Sequence, residues 1–332
     1  VGNITLGGTG KSPMTVYIAR VLQNMGFHPA ILSRGYRGFA ENTGAVVSNG
    51  RQILVDAAIS GDEPLMMALL LPGIPVLAGK NRFQSGIRAV ESLGCDLVIL
   101  DDGFQHLDLA RDIDLVLLDC RRPFGNSRLF PEGPLREPLS ALQAADAILL
   151  TRCPADPFFP EPVPGVPAGI PVFSSRHHTV LRDIWPAGLS RKRQQSRFVH
   201  FRRSETRTDF PRDINGILAF SGIAGNTGFR EALRNMGGRI TGYLEFPDHH
   251  PYSLRDAGRI IAAARSCQAD MLVTTEKDAC RLAGLVEWPH PVGIAGADIV
   301  LPFAEKQAFS DFLRRRLVPG KSTRHSSPEE PV

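Results

Sequence analysis

With 332 residues, 43% of them hydrophobic and 22% charged, the chain can bury a sizeable core and has room for two domains of ordinary size, which excludes a disordered polymer. Its net charge of +4 is too small to argue for a nucleic-acid partner, and no apolar run reaches the roughly 18 residues that a membrane span needs. The five cysteines (Cys95, Cys120, Cys153, Cys267 and Cys280) have no C-x-x-C spacing, which argues against a structural zinc site or a disulfide framework and fits a reducing compartment. The sequence starts at Val1, almost inside its first motif, so we expect an upstream segment, a targeting or anchoring sequence among the possibilities.

In chain order, a short strand I-T-L leads into G-G-T-G-K-S and a helix with apolar spacing over 15–25. Short Val/Ile/Leu-rich runs follow at 29–33, 74–78, 96–102, 114–119 and 146–151, nearly all apolar, as strands buried on both faces are. Strands of this kind alternating with helices predict a doubly wound α/β layer with a parallel sheet. From Cys153 to Pro171 the chain is dense in proline, which neither a helix nor a central strand tolerates, and reads as a connector. Residues 191–207 carry seven arginines and lysines against Glu205 alone, so this stretch is either a solvated loop or a surface for an anionic partner. A second α/β run then follows. It has strands at 217–221, 239–246, 270–275 and near 297–301, helices near 228–236 and 253–266, and a last helix over 304–317. The polar, proline-containing tail from Pro319 reads as disordered.

Two motifs carry the first chemistry. In G-G-T-G-K-S, Gly7, Gly8, Thr9 and Gly10 supply backbone N–H groups to phosphate oxygens at a helix N-terminus, Lys11 reaches the β- and γ-phosphates, and Ser12 ligates Mg²⁺. Thr5 stands where the motif has its first glycine, in the turn from the strand rather than in the cradle. The strand D-L-V-I-L-D-D-G ends in Asp101 and Asp102, at the strand edge where open α/β sheets bind ligands, and so offers the acidic partner a phosphate-bound cation requires.

Three further stretches bear on where the phosphate goes. S-R-G-Y-R-G (33–38) sets Arg34, Tyr36 and Arg37 in a glycine-flexed loop at the same edge. G-D-E-P (61–64) opens the helix L-M-M-A-L-L with two carboxylates, of which Asp62 reads either as an ordinary helix cap or as a reactive group. F-P-D-H-H-P-Y (246–252) ends a strand with His249 and His250, and neighbours on an extended chain point to opposite faces, so general acid–base work by one fits better than a shared metal.

Together with R-L-F-P-E-G-P-L-R-E-P (128–138) and T-T-E-K-D (274–278), these motifs occur in an order that resembles the tetraacyldisaccharide 4′-kinase family of lipid A biosynthesis, over roughly residues 1–315. The resemblance implies ATP- and Mg²⁺-dependent phosphorylation of the 4′-hydroxyl of a tetraacyldisaccharide 1-phosphate at the cytoplasmic face of the inner membrane. It implies a membrane surface as partner and no obligate protein partner. It also implies two α/β/α domains, a P-loop domain over 1–170 and a smaller one over 171–303, with the helix 304–317 packing back on the first. By motif, Asp62 corresponds to the catalytic aspartate, His249 to the histidine paired with it across the domain gap, and Glu137 to a further acid beside Asp101 and Asp102. Arg34, Tyr36 and Arg136 fall where lipid or phosphate contacts would be. The Arg-rich insert over 190–213 departs from the pattern. The competing readings are a nucleotide-driven switch or partitioning ATPase, whose deviant loop needs a lysine where Leu6 stands, and a kinase of a small sugar or nucleoside.

Overall fold

The computed structural model describes residues 1–154, 163–199 and 206–317. Part of the proline-rich connector, part of the basic segment and the polar tail lie outside the described residues.

The first half contains α1 (Lys11–Asn24), β1 (Pro29–Ser33), α2 (Ala40–Thr43), β2 (Ala45–Asn49), α3 (Ala57–Ser60), α4 (Asp62–Leu70), β3 (Pro75–Ala78), α5 (Arg82–Leu93), β4 (Leu97–Leu100), β5 (Leu115–Asp119), β6 (Ala147–Thr151) and β7 (Val172–Ser174). Two sheets form, β2-β3-β1-β4 and β5-β6-β7, parallel throughout except for the β2–β3 pair. Every residue of β1 and β6 is buried, which explains their unbroken apolar runs. The first residues of the chain join the two sheets. Val1 N donates to Leu100 O at 3.0 Å and Gly103 N to Val1 O at 3.0 Å, while Gly2 N donates to Leu115 O at 3.0 Å and Leu117 N to Gly2 O at 2.8 Å.

The expected strand I-T-L does not continue this pairing. Arg136 N donates to Ile4 O and Leu6 N to Pro134 O, so residues 4–6 leave the sheet to pair with the 134–136 segment. That detour brings Arg136 and Glu137 beside the glycine-rich loop.

The second half contains β8 (Arg176–Trp185), α6 (Arg191–Val199), β9 (Ile217–Ser221), α7 (Asn226–Asn235), β10 (Ile240–Glu245), α8 (Leu254–Ser266), β11 (Met271–Thr275), α9 (Glu276–Leu282), β12 (Val292–Val300) and α10 (Phe303–Leu317). Its sheet runs β10-β9-β11-β12-β8, with β8 alone antiparallel. The strand expected near 297–301 begins at Val292. Its glycines look like breakers in sequence but are required for packing: a Cβ at Gly293 would lie 2.6 Å from Met271 Cε, and one at Gly296 would lie 2.1 Å from Glu276 Oε2. The basic segment begins as a helix rather than a loop, because Gln194 is fully buried and bonds Leu189 O, Val286 O and Gly284 N at 2.8, 2.8 and 3.1 Å.

β7 and β8 follow one another almost directly yet belong to different sheets, so the chain crosses over at buried Ser175, whose N–H donates to Leu150 O. After β12, α10 returns to β7. Phe309 and Phe312 pack on Phe173 with ring centroids 5.2 and 5.7 Å away, and Arg316 pairs with Asp146 at 2.8 Å. Phe309 is fully buried there, so Phe309→Ala should destabilise the protein by about 3–5 kcal/mol in chemical denaturation.

Candidate functional site

The glycine-rich loop is held by its carbonyls, and among the described residues its amides have no hydrogen-bond partner. Thr151 Oγ1 at the end of β6 donates to Thr9 O at 2.8 Å, and Arg152 Nη2 donates to Gly8 O at 2.5 Å while its Nη1 bonds Asp119 at 2.6 Å. Gly7 (φ 103°) and Gly10 (φ 84°) adopt left-handed backbone, and no side chain caps α1, so the first N–H groups of that helix point out unpaired by a cap. His177, from β8, closes the underside: a Cβ at Gly10 would lie 2.6 Å from its ring, which only glycine permits. Burial, then Arg152, lowers the His177 pKa to about 4, and its Nε2 has no hydrogen-bond partner. Thr151, Arg152 and His177 were not singled out from sequence. T-R-C-P after an apolar strand carries a weak signal for the first two, and His177 carries none.

Lys11 Nζ sits 3.2 Å from Asn3 Oδ1 and 3.6 Å from Asp102 Oδ1. Asp102 (φ 50°) also pairs with Arg136 at 3.2 Å, and Glu137 accepts from Gln105 Nε2 at 2.5 Å. Asp101 turns inward instead, accepting from Thr15 Oγ1 at 3.1 Å and Ser33 Oγ at 3.3 Å. Burial first, then Glu63 and Asp102, raises its pKa to about 6. Ser12 is the second residue of α1. Among the described residues, no three His, Cys, Asp or Glu side chains form a ready-made cation cage. A phosphate-bound Mg²⁺ needs none, because it keeps phosphate oxygens and waters and takes only one or two protein ligands. A buried carboxylate whose direct partners are hydroxyls, with its proton affinity raised, fits a place beside such a cation.

The second cluster lies between α4 and the loop after β10. Asp62 does not cap its own helix: Gly61 occupies the N-cap (φ 82°) without a side-chain bond, and the buried Asp62 carboxylate turns to the loop after β10 instead. His249 Nδ1 lies 3.0 Å from Asp62 Oδ2, with the loop bent by a left-handed His249 (φ 60°). His250 faces away, 3.1 Å from Asp256 in the capping box of α8, so the two histidines share no ligand. Burial, then Lys277, lowers the His249 pKa. Tyr36, half exposed, meets the His249 ring edge-on at 5.6 Å, and Arg37 Nη1 donates to Asp248 O at 3.3 Å. Arg34 pairs with Glu41 at 2.7 Å instead. Two residues of α9 that sequence reading did not single out complete the group. Arg281 bonds Asp62, and Lys277 lies 3.1 Å from His249 Nε2.

His177 generates a pH prediction. Between about pH 6.5 and pH 4 the unfolded chain binds a proton there that the folded chain does not, so folding stability falls as pH drops through that window. The effect amounts to at most about 3 kcal/mol. His177→Phe should retain the flat ring against Gly10 and lose that part of the acid sensitivity, read as the difference in urea denaturation between pH 7 and pH 4.5.

The family described as tetraacyldisaccharide-1-P 4′-kinase matches residues 1–318. The tetraacyldisaccharide 4′-kinase of Desulfatibacillum aliphaticivorans is 40% identical over 97% of this chain and 83% of its own length. That of Pelobacter propionicus is 39% identical over 96% and 82%. The solved structure of "apo" form LpxK from Aquifex aeolicus in complex with ATP superposes with a TM-score of 0.69 at 29% identity, covering 95% of this chain and 87% of that one. With the motifs in their order and an α/β fold of parallel sheets that matches a solved member, the chain belongs to the tetraacyldisaccharide-1-P 4′-kinase family.

Proposed function

We propose that this protein transfers the γ-phosphoryl group of ATP to the 4′-hydroxyl of a tetraacyldisaccharide 1-phosphate. The observation that carries the reading is the Asp62–His249 contact, 3.0 Å across two different sheet layers. Phosphoryl transfer is largely positioning and charge neutralisation, with one group orienting the acceptor hydroxyl. The free amides of the Gly7–Gly10 loop and the N-terminus of α1 hold the triphosphate, and Lys11 follows the charge on the transferring group. Ser12, Asp101, Asp102 and Glu137 are the residues that would hold Mg²⁺, which would supply charge neutralisation for the triphosphate. The acceptor oxygen bonds to the γ-phosphorus, the bond to the bridging oxygen breaks with its electron pair leaving on ADP, and the hydroxyl proton passes to the Asp62/His249 pair.

The domain division at about residue 170, with closure of the two units on the nucleotide, belongs to the same proposal. A pair assembled from both units completes itself only when the cleft is shut, which discourages transfer to water. Arg136, Tyr36 and Arg34 are the candidate contacts to the substrate's phosphate and sugar. No helix among the described residues is long and apolar enough to cross a membrane. A lipid with four acyl chains barely visits water, because each buried CH₂ is worth about 0.8 kcal/mol, so the enzyme must work at a bilayer surface. Phe39, 77% exposed just before α2, and the basic helix α6 are suited to that surface, which we assign to the cytoplasmic face of the inner membrane.

The test follows label from [γ-³²P]ATP with Mg²⁺ and tetraacyldisaccharide 1-phosphate in detergent micelles. Label should appear on the lipid and vanish with Lys11→Ala. Release only as inorganic phosphate, at a rate indifferent to the lipid, would sink the reading. Asp62→Ala and His249→Ala should each lower kcat by about 10²–10⁴-fold, the range general acid–base groups supply.

A further inference from the structure

Asp278, the aspartate of T-T-E-K-D, is fully buried in the first turn of α9. A threonine followed three residues later by an acid reads as a helix cap, and Ser253 with Asp256 forms that reciprocal box at α8. At α9 the carboxylate reaches further. Thr275 accepts from Asp278 N and donates to Asp278 Oδ2 at 2.7 Å, and the same Oδ2 accepts from Gly222 N at 3.1 Å, just past the end of β9.

Gly222 passes this anchor on to the histidine loop. Its carbonyl accepts from His249 N at 3.1 Å, while Phe246 N donates to Ser221 O at 2.9 Å where the loop leaves the sheet. Space there is tight: a Cβ on Gly222 would lie 3.0 Å from Pro247 O, 3.1 Å from Asp278 Oδ1 and 3.3 Å from His250 Cβ. The far end of the loop meets the same carboxylate. Asp278 Oδ1 and the Tyr252 hydroxyl are both buried, lie within reach of each other and have no other hydrogen-bond partner among the described residues.

Between these two grips His249 adopts left-handed backbone at φ 60°. A residue with a Cβ holds that conformation only where its surroundings over-determine it. Relaxation of the loop would carry the imidazole away from α4.

We infer that Asp278 is a positioning residue for the transfer step: by holding the Gly222 peptide and the Tyr252 hydroxyl, it fixes the backbone that presents the His249 ring. The inference rests on the kinase reading above, and it gives Asp278 no contact with substrate and no proton to carry. What matters is where its hydrogen-bonding atoms stand, not their charge. Burial pushes the Asp278 pKa up, so a neutral side chain suits the position. An amide of the same shape can accept from Gly222 and Thr275 through its oxygen and donate to Tyr252 through its nitrogen.

The test compares Asp278→Ala with Asp278→Asn by lipid-kinase kinetics and, without substrates, by hydrogen exchange at the His249 amide. Asp278→Ala should lower kcat about 10²-fold and leave KM for ATP within about 3-fold, because the ring is misplaced and the phosphate loop is not. Its His249 amide should exchange about 10-fold faster or more, while the amides of β9 and β11 keep their protection. Asp278→Asn should bring both readouts back to within about 3-fold of wild type. Gly222→Ala keeps the cap of α9 and pushes on Pro247 and His250 instead, so it should lower kcat about 10-fold at unchanged KM for ATP. An Asp278→Ala protein with wild-type kcat or wild-type His249 exchange, an Asn variant as slow as Ala, or a Gly222→Ala protein with wild-type kcat overturns the inference. Should Asp278→Ala fail to fold, the Asn and Gly222 variants decide it. Amide exchange judges the positioning apart from the kinase reading, which fails by itself if the wild-type protein puts no label on the lipid.

Discussion

The contact between α4 and α9 is the interaction on which the site depends. α4 belongs to the layer that carries the phosphate loop, and α9 follows the central strand of the other sheet. Asp62 is the first residue of α4, and its carboxylate is received by Arg281 and His249 from the opposite side. An ion pair this far from water, with side-chain exposures of 13% and 8%, is sustained only if its remaining donors and acceptors are met, and here His249 and the His250 carbonyl meet them. Loss of one member leaves the others buried without partners. The Asp62–His249–Arg281 cluster and the docking of the two layers are thus one arrangement.

The phosphate loop shows a complementary economy. Its carbonyls are engaged by Thr151 and Arg152, while among the described residues its amides have no such partners. The loop is therefore held in the shape that presents N–H groups before any anion arrives, which is preorganisation for phosphate. The same tie explains why β6 ends in a polar pair: Thr151 is fully buried yet satisfied, and Arg152 is neutralised by Asp119 across the β5–β6 pair. His177 reaches Gly10 of this loop from β8, a strand of the other sheet, so the loop too draws on both layers.

Charge also runs behind the site. Arg182 is buried between Glu276 and Asp298 at 2.8 and 2.9 Å, and Asp298 lies 3.9 Å from Arg20 of α1. Glu276 is the first residue of α9, so this chain of ion pairs connects the helix after the phosphate loop with the helix that presents Lys277 and Arg281. The apolar return of α10 onto β7 holds the same two layers together from the other end.

Much of this was legible in the amino-acid sequence because it depends on local spacing. Apolar runs such as A-I-L-L-T predict buried parallel strands, G-G-T-G-K-S predicts a phosphate loop, and the ordered motifs point to the family. Elements whose character comes from distant neighbours were not legible. β8 is polar enough to pass for a loop until β12 pairs with it, and the glycines of β12 look like breakers until Met271 and Glu276 occupy the space that side chains would need. G-D-E-P alone left open whether Asp62 caps a helix or serves chemistry, since either use suits a carboxylate at a helix start. Arg281 and Lys277 appear in sequence as an ordinary i,i+4 pair of helical cations. Local sequence determined which polar and charged residues stand at each strand end; only tertiary structure decided which of them meet, because Asp62 and Arg281 lie 219 residues apart and their contact exists only once two separately built sheets are packed together.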